Sequence, residues 1–168
     1  GSTTDPHYYV YDYDGTDVNE ATSTENYQTY GVLYNWPAAI TACPDGWHLP
    51  SDADWKQLEM YLGMSEEEAE KREGRGTDEG GKLKEVGTTH WSSPNTRATN
   101  ENGFTALPGG YRGGFGTFDT IGGDGHWWSS TQDKTNIAWI RGLYYHGSLV
   151  NRDSRYNFYG FSVRCVRD

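Results

Sequence analysis

The chain has 168 residues and a formal net charge of −10, with 34% hydrophobic side chains, 15% aromatic ones and 22 glycines. It is long enough to bury a core in one domain, residues 1–168, and a core built from Trp and Tyr between many glycine turns points to a loop-rich α+β fold. The acidic balance excludes nucleic acid and an anionic membrane as main partners, since both reward clustered Lys and Arg, and no apolar run approaches the roughly 18 to 20 residues of a membrane span.

Gly1 and Ser2 read as an expression scar, so the lack of a charged-then-apolar leader does not exclude export. The charge is uneven. Residues 141–168 carry five Arg against Asp153 and Asp168, a balance of +3 that leaves −13 on residues 1–140. A basic, aromatic patch on an acidic body would favour an acidic partner surface.

Residues 1–30 are polar. Tyr8 to Tyr11 precede the acidic run Asp12-Tyr13-Asp14-Gly15-Thr16-Asp17, which has alternating oxygen ligands beside a glycine, as calcium loops do. An EF-hand places its glycine sixth, whereas Gly15 stands fourth from Asp12, so an Asp-Gly turn is the expected structure. No cofactor is expected, and calcium at this loop is the one candidate.

From Tyr30 to Ile40, apolar residues Leu33, Trp36, Ala39 and Ile40 recur at helical spacing, with Pro37 forcing the helix to begin or bend near it. Ser51 with Asp54 three residues on is an N-cap, and Trp55, Leu58 and Leu62 give the following helix an apolar stripe. Ser65 opens a second acidic helix expected to run to about Glu73, its Glu side chains forming a solvated face. Gly80 and Gly81 mark a loop beside a short helical piece through Lys82, Leu83 and Val86.

Residues 91–125 are mostly turn signals, including nine glycines from Gly103 to Gly125, as in packed functional loops. No P-loop follows Gly109-Gly110. Strands are expected near Trp127-Trp128 and from Gly160 to the end, where Phe161, Val163 and Cys165 alternate with Ser162 and Arg164. Between them the Tyr, Ser, Asn, Arg and Gly vocabulary is that of a binding surface. The candidate ligand-binding residues are Ile140, Gly142, Tyr144, His146, Ser148, Asn151, Asp153, Ser154, Arg155, Tyr156, Asn157 and Tyr159, with Trp127, Trp128 and Trp139 packing beneath or beside them.

Cys43 and Cys165 lack the close spacing of a zinc or redox motif. They are either two buried thiols or one disulfide, the latter if the chain is extracytoplasmic, and the bridge would then contribute about 4 to 5 kcal/mol in the chain-entropy model.

Six ordered segments carry a resemblance: Tyr30 to Trp36, Cys43 to Asp52, Gly80 to Lys84, Gly103 to Arg112, Trp127 to Ser130, and Gly160 to Asp168. From about Tyr8 to the C-terminus the chain is similar to the Fibrobacter succinogenes major paralogous domain, a family related to the formylglycine-generating sulfatase-modifying factors. The resemblance implies a C-type-lectin-like fold and a place on exported lipoproteins, adhesins or pilus-like proteins of bacteria, hence an extracellular or cell-surface location. Some members are variable proteins of diversity-generating retroelements, which vary a C-terminal binding face. Gly142, Tyr144, His146, Asn151, Asp153 to Asn157, Phe158 and Tyr159 are all residue types that a mutagenised asparagine codon can reach. One departure stands out: the family's N-terminal Trp-Met-Ala-Glu-Asn-Leu-like strand is missing, so either the chain is trimmed or Tyr8 to Tyr11 supply the first strand.

The enzymatic relatives use a pair of redox cysteines near the C-terminus, and here no second Cys neighbours Cys165. His48 is expected to hydrogen-bond locally in its Trp-His-Leu-Pro turn, and His7, His90, His126 and His146 are isolated in sequence. A calcium-dependent sugar site needs a Glu-Pro-Asn loop and a Trp-Asn-Asp strand, and only Ser93-Pro94-Asn95 approaches this. The expected function is therefore non-catalytic recognition of a protein or carbohydrate ligand. The alternative is a structural or adhesin-tip subunit whose patch makes assembly contacts, and a formylglycine-generating-type enzyme ranks below both.

Overall fold

Side-chain caps start most of the helices. In the computed structural model, which describes residues 1–168, strand β1 (Tyr8–Tyr9) is followed by two short helices, α1 (Val18–Ser23) and α2 (Glu25–Tyr30). Asp17 accepts from the backbone N–H groups of Asn19 and Glu20, and Thr24 from that of Tyr27. The expected Asp14-Gly15 turn does not form. The chain reverses instead at Tyr11 and Asp12, closed by Tyr13 N donating to Val10 O at 3.1 Å.

Leu33 does not join the helix expected there. It lies in β2 (Leu33–Tyr34), which pairs antiparallel with β1, so Tyr8 and Tyr9 do form a strand at this edge. The helix that follows, α3 (Trp36–Ala39), starts at Asn35, whose side chain accepts from Ala38 N, with Pro37 in the first turn where its missing N–H is harmless. Strand β3 (Trp47–His48) precedes α4 (Asp52–Tyr61), which opens on the reciprocal Ser51–Asp54 capping box.

Helix α5 (Glu66–Glu70) ends three residues earlier than expected, because Glu73 belongs to an edge strand, β4 (Glu73–Arg75). Helix α6 (Glu79–Leu83) contains Gly80 and Gly81 rather than being flanked by them. A Cβ at Gly80 would stand 2.2 Å from the Leu149 carbonyl oxygen, and one at Gly81 2.2 Å from that of Arg97. The two glycines let this helix lie against neighbouring backbone on both sides.

A small hairpin, β5 (Tyr111–Arg112) and β6 (Phe118–Asp119), leads into the main sheet of β7 (Asp124–Lys134), β8 (Ile137–Tyr144) and β9 (Val150–Tyr156). The order is β4-β9-β8-β7, all antiparallel. The C-terminal segment is not one strand. Gly160, Phe161 and Ser162 make single bridges to Arg112, Tyr34 and Trp127, and only β10 (Val166–Arg167) pairs regularly, with β3. Helices and small antiparallel sheets together make the fold α+β, and no helix is long and apolar enough to cross a membrane.

One face of the main sheet packs on α4 and carries Trp127, Leu143 and Val150 in the larger core cluster. It also carries a buried ionic network. Glu59 accepts from Arg141 Nε at 2.6 Å and from Arg75 Nη2 at 2.5 Å, while Asp52 takes both arms of Arg152 at 2.9 and 2.7 Å. Burial pushes the Asp52 carboxyl up, but Arg152 and Arg141 outweigh it and hold the group well below the usual carboxylate range.

Two of the five C-terminal arginines are thus internal, Arg155 pairs with Asp153, and Arg164 donates to Phe104 O at 2.8 Å. Only part of the basic charge expected from the count therefore reaches the surface, at Arg155, Arg164 and Arg167. Cys43 and Cys165 form a disulfide that ties the segment after α3 to the approach of β10. His48 bonds far from its own turn, with Nδ1 2.6 Å from Asp168 Oδ1 and Nε2 3.5 Å from Asp54 Oδ2. These contacts, chiefly the hydrogen bond to Asp168, raise its pKa.

Candidate functional site

Strand alternation sends every second side chain of the main sheet away from α4. The register sets His126 opposite Gly142 and Gly142 opposite Asn151, with Trp128, Ile140 and Asp153 in the next row and Asp124 paired to Tyr144. Tyr111 from β5 and the bridged residue Phe161 close over this face, and Tyr159 joins them. Together they form a cleft of about 330 Å3 that Thr120, Asp124, Ile140, Tyr144 and Arg155 also line.

His126 lies in the wall of that cleft and is only 8% exposed. Rings surround it: Tyr111 at 5.4 Å and perpendicular, Tyr144 at 5.9 Å, and Phe161 at 5.4 Å. Neither ring nitrogen has a hydrogen-bond partner within the protein, and the nearest carboxylate oxygen, Asp124 Oδ2, is 3.9 Å from Nε2. Thr120 Oγ1 is also buried without a partner. Each such group costs about 1 to 3 kcal/mol if nothing satisfies it, so a cluster beside an open cleft marks a place that accepts polar groups from outside.

Gly142 makes room for this arrangement. A Cβ there would stand 3.1 Å from Tyr144 Oη and 3.2 Å from His126 Nδ1. Burial, with the Asp124 carboxylate next, raises the Tyr144 hydroxyl, and burial with Asp119 raises that of Tyr111, so both remain donors at neutral pH. At the rim, Arg155 Nη1 donates to Asp153 Oδ2 and to Ser154 O, which orients the guanidinium before any ligand arrives.

The turn beyond β8 is held by Lys84. Its fully buried ammonium donates to the carbonyls of Thr96, Tyr144 and Gly147 at 3.1, 3.0 and 2.9 Å. Burial without a carboxylate partner lowers its pKa to about 8. An unfolded lysine keeps its proton to about 10.4, so between those values folding releases a proton and stability rises with pH. Thermal melts of wild type and Lys84→Met from pH 7.5 to 9.5 should show the wild type gaining on the variant as pH rises.

Of the sequence candidates, Ile140, Gly142, Tyr144, Asn151, Asp153, Arg155 and Tyr159 come together on this face or its cleft. Five do not. Ser154 points to the opposite side, where its Oγ donates to Asp133 Oδ2 at 2.9 Å, and Tyr156, at the end of β9, stacks on Phe158 at 5.2 Å outside the cleft lining. Ser148 Oγ donates to Thr77 O toward α6, and His146 sits in the turn beside Tyr144 and Tyr145. Asn157 is buried in the turn after β9, its carbonyl accepting from Trp36 N at 2.9 Å.

Tyr111, Thr120, Asp124, His126 and Phe161 belong to the cleft and were not among the candidates. Trp128 lies on the cleft side, with Nε1 donating to Tyr34 O at 2.7 Å, and Trp127 is core on the α4 side. Trp139, also on the α4 side, packs against the guanidiniums of Arg72 and Arg152, 4.2 and 3.7 Å from its ring centre. No group of three or more His, Cys, Asp or Glu side chains is gathered to hold a metal, and both cysteines are in the disulfide.

No curated protein and no solved structure matches the chain. The model of one family does, from residue 2 to residue 167, and with nearly the whole length matched the chain belongs to the Fibrobacter succinogenes major domain family.

Proposed function

We propose that this chain is a non-catalytic recognition domain of C-type-lectin-like fold, carried on an exported surface protein, and that the face around His126 binds a protein ligand. The observation that supports it is the cleft itself: aromatic walls, a pre-oriented arginine, and buried His126 and Thr120 atoms with no partner of their own. Tyr and Arg in a partly desolvated setting are the residue types that dominate binding energy at protein interfaces. In a retroelement-linked gene, variation at Gly142, Tyr144, Asn151, Asp153 and Arg155 would rewrite this face. Variation at Ser154 would alter the other side.

The test is a screen of the purified chain against surface-protein and glycan arrays, with and without calcium. The expected result is a protein hit that Tyr144→Ala with Arg155→Ala weakens at least about 30-fold, the size of a hot-spot loss, while Ser154→Ala leaves it intact. A calcium-dependent sugar hit, or a protein hit lost in Ser154→Ala, would overturn the assignment. Silence on both arrays with self-association in solution would replace it with an assembly subunit.

A further inference from the structure

A second cleft opens on the other side of β5. Tyr111 faces the His126 cleft, and the next residue, Arg112, points the opposite way, as strand alternation requires. Its guanidinium lies over the Tyr9 ring, 4.1 Å from the centre. Gly160 permits this approach, since a Cβ there would stand 2.9 Å from Arg112 Cβ and 3.0 Å from Tyr9 Cδ2. Arg112 Nη1 is buried and has no hydrogen-bond partner within the protein.

The space beside it is a cavity of about 480 Å3, larger than the His126 cleft and within the range of small-molecule sites. Tyr8, Tyr9, Tyr13 and Tyr27 form its walls together with Arg112 and Asp14. Tyr8 is held edge-on against Tyr34 at 5.6 Å yet stays 60% exposed, so its ring is braced but open. Tyr13 is fixed by its hydroxyl donating to Asp17 O at 2.9 Å. Gly15 leaves room for that hydroxyl, because a Cβ there would stand 2.4 Å from it.

We propose that this cleft binds a neutral oligosaccharide. A pyranose ring has an apolar C–H face and a rim of hydroxyls that both donate and accept, and the cleft offers the complement of each. Tyrosine rings present electron-rich faces to C–H groups and keep a polar tip. The free Arg112 N–H donates to a ring or hydroxyl oxygen, and the Asp14 carboxylate, which makes no hydrogen bond of its own, accepts from a neighbouring hydroxyl. Charge decides between ligand classes. Asp14 and Asp17 outnumber the single Arg112 and repel a carboxylated or phosphorylated ligand, while the tyrosine walls and the paired donor and acceptor suit a polar, uncharged one. This site is independent of the protein-binding reading of the His126 face.

The experiment is an amide NMR titration of the whole chain with hexasaccharides of glucose, mannose, xylose and galactose, and with hexagalacturonate as the charged counterpart. At least one neutral hexasaccharide is expected to give saturable shifts confined to residues 7–32 and Arg112, with the His126 signals unmoved. Arg112→Gln and Tyr8→Ala should each weaken that binding at least about tenfold. Tyr8→Ala keeps the test decisive if Arg112→Gln unfolds the protein, since Tyr8 is largely exposed. No shift with any neutral sugar, shifts mapping to the His126 face, binding of hexagalacturonate alone, or full affinity in Tyr8→Ala would each overturn the proposal.

Discussion

Glu59→Ala is expected to lower the unfolding free energy by about 3 to 5 kcal/mol, the loss that follows removal of one member of a buried ion pair. Glu59 is fully buried, and its two oxygens face two different guanidiniums, those of Arg141 and Arg75. Truncation would leave both cations inside the protein facing only backbone carbonyls and, for Arg141, Asp52. Glu59→Gln keeps the shape but not the charge and should also destabilise strongly. Lys56→Ala, at the more exposed end of the same network beside Glu70, should cost less than about 1 kcal/mol. Urea denaturation of the three variants checks the order, and a Glu59→Ala loss below 1 kcal/mol would show that the network does not hold α4 to the sheet.

Breaking the Cys43–Cys165 disulfide is expected to cost about 2 to 5 kcal/mol, toward the upper end because 122 residues separate the two cysteines. The bridge limits the unfolded chain over most of its length, and in the fold it joins the segment after α3 to the C-terminal segment that carries β10. Double replacement by Ser, compared with wild type in urea with and without reductant, should give matching losses. Unchanged stability in the reduced wild type would mean that the pairing of β10 with β3 and the bridges at Phe161 and Ser162 already suffice to hold the C-terminus.

Part of this was readable in the residues because the cause was local. Ser51 and Asp54 specify the start of α4 by their own hydrogen bonds, and the apolar stripe from Trp55 needs no distant partner to be recognised. Helices α1 and α2 were not expected because neither buries any residue, so no stripe exists; only the caps Asp17 and Thr24 announce them. Glu73 prolonged an acidic helical pattern, yet pairing with Arg152 across β4 and β9 decided its conformation. Gly80 and Gly81 looked like breakers, and what they serve is close approach to backbone far along the chain.

The same division runs through the candidate site. The Tyr, Arg, Asn and Gly vocabulary of residues 140–159 located the sheet segment, but a period of two then splits it between two faces, and only the register with β7 tells which is which. Arg141 and Arg152 counted toward the expected basic charge of the C-terminal segment, and α4 supplies Asp52 and Glu59 to bury them. His126 was isolated in sequence, and it becomes part of a site because β8 sets Gly142 against it while Tyr111 and Phe161 close over it from elsewhere. The signal available beforehand was the pair of facts that a His stood on one strand and a Gly on the next.

The most direct measurement is long-range proton–nitrogen NMR of the His126 ring as the protein ligand captured in the array screen is added. Binding at this face predicts that the Nδ1 and Nε2 resonances of His126 move together with the Tyr144 and Arg155 side chains, while those of Ser154 stay in place. Movement at Ser154 with an unperturbed His126 ring would place recognition on the opposite side of the sheet and contradict the assignment.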